Sequence, residues 1–149
     1  MKYFAAAIAA LGFTLCAQAK GFATAQDAIA LVHKAIQHIN TVGKDKAYSD
    51  FTAKNPEFID RDAYVVVYDM DGKVLAHGQN ANMVGKALID HKDVDGKEFV
   101  KERVAMAKAA PSFWQDYKFV DPVTKKILPK STYCERADDT VVCAGIYKR

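Results

Sequence analysis

Lys130 stands in a segment, Ser112–Lys148, whose spacing surrounds it with aromatic side chains. The segment reads as three strands joined by tight turns at Asp121-Pro122 and Asp138-Asp139. If Pro122–Lys125 is a four-residue loop, Tyr117 faces Lys130. If Asp138-Asp139 is a two-residue loop, Lys130 also lies beside Tyr147. One sheet face then carries Gln115, Tyr117, Phe119, Leu128, Lys130, Thr132, Gly145 and Tyr147. The other carries Trp114, Tyr133, Val142, Ala144 and Ile146, a plain core face. An ammonium held among rings can bind an anion through a charge-assisted hydrogen bond and so floor a pocket. A surface lysine that lays its stem on apolar neighbours while its head stays in water fits the same parity. Both readings stand at this level.

The second turn sets Cys134 opposite Cys143 at a non-hydrogen-bonded position, where the Cα atoms approach most closely. That closeness is what a disulfide requires, so the register and the Cys134–Cys143 bond support each other.

Three other groupings could carry chemistry. Val65–Leu75 ends an apolar strand in D-x-D-G and resembles the first motif of haloacid dehalogenase-type phosphatases, with Asp69 as nucleophile and Asp71 as acid/base. That chemistry needs a parallel sheet carrying further phosphate and Mg²⁺ ligands, whereas the remainder reads as antiparallel hairpins. A hairpin turn at Asp71-Gly72 is the simpler account. Asp93, Asp95, Gly96 and Glu102 sit where a calcium loop places ligands, but His91 stands at its first position and no helix precedes it. Neither Ser112 nor Ser131 lies in a G-x-S-x-G setting, and four scattered histidines make no zinc site. No metal, no cofactor and no enzymatic activity are expected.

The elements that must position these residues follow the hydrophobic period. Thr24-Ala25-Gln26-Asp27 resembles a capping box, and Ala28, Val32, Ala35, Ile39 and Val42 then recur at helical spacing up to Gly43. A weaker helix over Asp45–Ala53 follows. Tyr64–Tyr68 (YVVVY) reads as a strand covered on both faces, and Lys73–His77 returns from the Asp71-Gly72 turn. With Met70 facing Lys73, Leu75 opposes Tyr68 and His77 opposes Val66, so Tyr64, Tyr68 and His77 share a face. Gln79–Asp95 is irregular, with Val84, Leu88 and Ile89 as its apolar points. Lys97–Ala109 is a helix with Phe99, Val100, Val104 and Ala107 inward. The order predicts an α+β fold with a five-stranded antiparallel sheet.

The chain of 149 residues opens with Met1-Lys2, an apolar run and Ala17-Gln18-Ala19, a pattern expected of a signal peptide spanning residues 1–19. Its removal takes Cys16 and leaves two cysteines, an even number suited to an oxidising compartment. Residues 20–149 then form a single domain. The 21 basic residues, one of them Lys2, are scattered against 18 acidic ones, so no nucleic-acid surface is expected. No later stretch approaches a membrane span.

Several blocks in order carry a family likeness. Asp62–Gly72 (DAYVVVYDMDG), Val74–His77, Val84-Gly85-Lys86, Asp93–Glu102 (DVDGKEFVKE), Trp114–Lys118 (WQDYK), Asp121–Lys126 (DPVTKK), Pro129–Tyr133 (PKSTY) and Ala144–Lys148 (AGIYK) together resemble the single-Cache domain, type 2. The resemblance implies a PAS-like fold in which a long N-terminal helix backs the sheet. A loop and helix after the second strand close a pocket over the other face. It also implies a periplasmic or secreted small-molecule sensor, with short carboxylates as ligands and a membrane receptor or sensor kinase as partner. An output domain of its own is not expected. Carried onto matching positions, the implied ligand-binding residues are His77, Trp114, Tyr117, Lys130 and Tyr133. Register places Trp114 and Tyr133 on the opposite face from Lys130. Gly78-Gln79 after His77, and Phe119-Val120 in place of the usual Trp-Pro, depart from the pattern and reshape the pocket rim.

Overall fold

The computed structural model describes residues 21–149; the expected leader, its cut after Ala19 and Cys16 lie outside the described residues. The first helix, α1 (Ala25–Val42), starts as its sequence anticipates. The Thr24 hydroxyl accepts from the Asp27 N–H, and the Asp27 carboxylate accepts from the Thr24 N–H. Gly43, at φ +84°, closes α1 and opens α2 (Lys44–Thr52). The buried stripe of α1 runs through Ala28, Leu31, Val32, Ala35 and Ile39 and lies on the sheet.

Six antiparallel strands form the sheet, one more than the sequence led us to expect. They are β1 (Ile59–Asp60), β2 (Ala63–Asp69), β3 (Val74–His77), β4 (Ser112–Val120), β5 (Ile127–Ala137) and β6 (Thr140–Tyr147). The addition is β1, two residues that fold back on the start of β2. Its turn is Arg61-Asp62, with Arg61 rather than a glycine or asparagine at φ +56°. The Arg61 guanidinium holds it there, through its neighbour Asp60 and, at long range, through Asp27 and the Phe22 carbonyl. Beyond β1, the order across the sheet is β3-β2-β6-β5-β4.

Both C-terminal hairpins have the expected register. Tyr117 pairs with Lys130, Lys130 with Tyr147, and Cys134 with Cys143. The two cysteines form a disulfide with Cα atoms 4.2 Å apart. The β2–β3 hairpin differs. Val66 pairs with His77 as expected, but a bulge between Val67 and Tyr68 sets Val74, not Leu75, opposite Tyr68. The bulge keeps Val74 buried beneath the third helix and leaves Leu75 against the α1 side.

That third helix, α3, runs Phe99–Ala109 and starts two residues later than its periodicity suggests. Lys97 is held back because its N–H donates to Asp93 in the preceding turn. Successive residues of β2 alternate between two cores, which explains its unbroken apolar run. Val65 and Val67 face α1, whereas Tyr64, Val66 and Tyr68 face α3. The loop over 79–95 is pinned by Met83, Leu88 and Ile89; Val84, expected to help, is exposed. Gly72, at φ +82°, lets the turn approach Ile89 and Val100, to which an added Cβ would come within about 3.0–3.1 Å. Among the described residues no helix is long and apolar enough to cross a membrane.

Candidate functional site

The face of the sheet under α3 gathers Lys130, Tyr117 and Tyr147 by register, and β2 and β3 add Tyr64 and His77. Lys130 is no surface lysine: only 2% of it is exposed. Its ammonium donates to the Tyr64 hydroxyl at 3.0 Å and lies 4.2, 4.8 and 5.5 Å from the ring centres of Tyr64, Tyr147 and Phe119. The Tyr147 hydroxyl donates to the Val120 carbonyl at 2.7 Å, so at its 3.2 Å contact with Tyr64 it accepts. A one-way chain therefore runs from Lys130 through Tyr64 to Tyr147 and the backbone. Gly145 makes room for it. A Cβ at that position would collide with Lys130 Cε and Thr132 Oγ1.

A second cation lies on this face, and helical periodicity alone did not reveal it. Arg103 sits in the inward stripe of α3 with Phe99, Val100, Val104 and Ala107, and is just 1% exposed. Its guanidinium lies 5.0, 5.1 and 5.6 Å from the ring centres of Tyr117, Tyr68 and Phe99. Its Nε donates to Gln115 Oε1 at 3.0 Å, while Nη2 is buried with no partner. The signal was available in the residue type: a charged residue within a buried stripe needs a reason. Among the described residues the only buried carboxylates, Asp62 and Asp121, are both held by Arg149. Neither Lys130 nor Arg103 has a carboxylate partner there.

The charges act on their neighbours. Burial pushes the Tyr64 and Tyr147 phenols above the usual tyrosine range. Burial also pushes Tyr117 up, but the Lys130 ammonium and Arg103 guanidinium outweigh it and bring the phenol down to about 8. His77 is lowered to about 4, first by burial and then by Lys130. Its Nδ1 accepts from the Gln79 and Asn80 N–H groups at 3.2 and 3.1 Å, so the neutral ring carries its hydrogen on Nε2.

A linkage consequence follows for His77. A histidine at about 6.5 when unfolded and about 4 when folded binds more protons unfolded across that window. Its contribution is complete above about pH 6.5 and is lost as pH falls toward 4. Urea unfolding of the native chain at stepped pH is expected to show this slope, and His77→Gln to flatten it. An unchanged slope in the variant would contradict the assignment.

A cavity of about 310 Å³ opens from the surface onto this group, walled by Tyr64, His77, Gln79, Asn80, Met83, Phe119, Val120, Pro122 and Lys125. Tyr64 and Phe119, whose ring centres lie 4.2 and 5.5 Å from the Lys130 ammonium, are among its walls, and Lys130 itself is not. Of the five residues the resemblance implied, Lys130, Tyr117 and His77 share the α3 face of the sheet, and of these three only His77 lines the cavity. Trp114 and Tyr133 do not: they pair across β4 and β5 on the α1 side, with ring centres 5.3 Å apart. No bulge in the β4–β5 ladder turns them round, because the register runs unbroken from Ser112 to Val120.

The acidic groupings are occupied by turns. Asp69 Oδ1 accepts from the Asp71 and Lys73 N–H groups. Asp93 accepts from the N–H groups of Asp95, Lys97 and Lys118, which ties the loop to β4.

Known proteins share this architecture. A sensor histidine kinase, MctS, of Rhizobium johnstonii is 32% identical over 127 residues, 78% of this chain. The chain spans only 27% of that kinase's length. A methyl-accepting chemotaxis protein from Vibrio parahaemolyticus superposes with a TM-score of 0.72 at 21% identity, over 82% of this chain and 86% of that one. A Cache chemosensory domain described for carboxylic acid recognition gives 0.70 at 18% identity, over 83% and 92%. Residues 14–148 match the family described as Single Cache domain 2, and the chain belongs to that family.

Proposed function

We propose that this chain is a sensor module that binds a short carboxylate outside the cytoplasmic membrane, after a leader over residues 1–19 has been removed. It passes the bound state to a membrane receptor or sensor kinase. The observation that carries this reading is the pair of buried cations, Lys130 and Arg103, with no carboxylate partner among the described residues. Burying a charge costs several kcal/mol unless it is compensated, and an anionic ligand supplies the compensation. The aromatic walls and a cavity of about 310 Å³, at the small end of the range for ligand pockets, suit a small organic acid. A related fold described for carboxylic acid recognition supports the same ligand class. The phosphatase alternative has little support, since Asp69 is engaged in its own turn.

The test is a panel of short acids and their uncharged amides, read by thermal unfolding and titration calorimetry. At least one acid is expected to stabilise the chain, by about 2.7 kcal/mol when present at about a hundred times its Kd, while its amide does not. Stabilisation by amides and acids alike, or by neither, would overturn the reading.

A further inference from the structure

We infer that the tip of the β4–β5 hairpin is a docking surface for a membrane, seating apolar side chains among the headgroups of anionic lipids and pairing its lysines with their phosphates. The inference is independent of what the cavity binds.

Composition and exposure are the first argument. The tip, Pro122–Pro129, reads PVTKKILP, with two lysines and no acidic residue. Val120 and Ile127 pair at the root of the turn, and Val123 lies within it. The three are 46, 49 and 56% exposed. A single exposed apolar residue is ordinary, but three at one turn form a patch. Lys118 and Lys148 are paired with Asp95 and Asp116, whereas among the described residues Lys125 and Lys126 form no ion pair. The nearest acid in the chain, Asp121, is covered and bound to Arg149. The tip therefore presents apolar groups and uncompensated positive charge together.

Its place in the fold is the second argument. Arg149, which holds Asp121, lies 3.5 Å from the ring centre of Phe22, and that ring is half exposed. The hairpin tip, the end of β6 and the segment leading into α1 thus share one end of the domain, and Phe22 adds a fourth apolar group there. A leader over residues 1–19 joins the domain at this same end.

The mixture favours lipid over a protein partner. Lysine is depleted from the cores of protein interfaces, where its charge would lose water. At a bilayer surface, apolar side chains enter the headgroup region while lysine stems lie along them and the ammonium groups meet phosphate. Two lysines and four apolar side chains suit weak, reversible docking, not anchoring.

Val123, Lys126 and Ile127 stand outside the cavity wall, so they test the tip without altering the cavity. The protein as exported is floated with vesicles of phosphatidylcholine alone and of phosphatidylcholine with an equal part of phosphatidylglycerol. Binding is expected to the mixed vesicles and to fall with added salt. Lys126→Glu is expected to weaken it by about fivefold for each unit of charge, and Val123→Asn with Ile127→Thr by about tenfold. A second measurement reads depth. Trp114 is the chain's one tryptophan and lies about 20 Å along β4 from Val120, so brominated phosphatidylglycerol should leave the native emission unquenched. Val123→Trp adds a reporter at the tip, which the same vesicles should quench. Equal binding to both vesicle types, binding that survives both sets of substitutions, or an unquenched reporter overturns the proposal. Binding to neither vesicle overturns it as well and leaves the tip to a protein partner.

Discussion

Lys130→Met is expected to weaken carboxylate binding by roughly ten- to 150-fold while the chain stays folded. Methionine keeps most of the volume of the lysine stem, so the packing against Tyr64, Tyr147 and Phe119 survives. What disappears is the charge and the donor to the Tyr64 hydroxyl. A buried cation is costly in the free protein, so the variant should be as stable as the native chain or more so. That opposite movement of stability and affinity separates loss of a ligand contact from loss of fold. Calorimetric titration with the acid identified by the panel, alongside urea unfolding, measures both. Equal affinity in the two proteins would remove Lys130 from the site. A fall in affinity matched by a fall in stability would make its role structural.

Arg149→Ala is expected to cost about 3–5 kcal/mol of folding stability, the largest effect we anticipate for any single side chain here. Its guanidinium donates through Nη1 to Asp62 and through Nη2 to Asp121, each at 2.7 Å, and lies 3.5 Å from the Phe22 ring centre. Both carboxylates are wholly covered. Asp62 also accepts from the Ala23 N–H, so the same cluster ties the segment before α1 to the end of β6. Without the arginine, two buried like charges would face each other. Burial pushes the Asp121 carboxyl up, yet hydrogen bonds from Thr124, Val123 and Arg149 outweigh it and hold it below the usual carboxylate range. That contribution is present above the unfolded value near 4 and is lost as pH falls through the depressed folded one. The penalty of Arg149→Ala should therefore shrink as pH falls, because protonation relieves the repulsion. Arg149→Lys should recover less than half, since one ammonium cannot span both acids. Unfolding by urea at neutral and acidic pH gives the comparison. A neutral-pH cost below about 1 kcal/mol would place the cluster among ordinary surface ion pairs.

The Cache family could be read from the order of blocks along the chain, and the C-terminal hairpins from their turns. Once Asp138-Asp139 is a two-residue loop, the opposition of Cys134 and Cys143 and of Lys130 and Tyr147 follows by counting. The β2–β3 register failed by one residue because a bulge changes the count and leaves no mark in the residue types. Trp114 and Tyr133 show the converse: parity assigned them to the face opposite Lys130, and the unbroken β4–β5 ladder agrees with parity. Arg103 was in plain view within the inward stripe of α3 and was passed over because periodicity weighs position before residue type.

The sequence by itself determined what depends on near neighbours and on counting: the capped first helix, the turns, the hairpin registers, the disulfide and the face that Lys130 occupies. Only the tertiary structure decided which charges lack a partner. Whether Lys130 is a solvated or a buried lysine depends on α3 and the 79–95 loop covering the sheet. Whether Asp62 and Asp121 can neutralise it depends on Arg149, which is 87 residues from one and 28 from the other. Desolvation is set by everything packed around a group, and no local spacing encodes that sum.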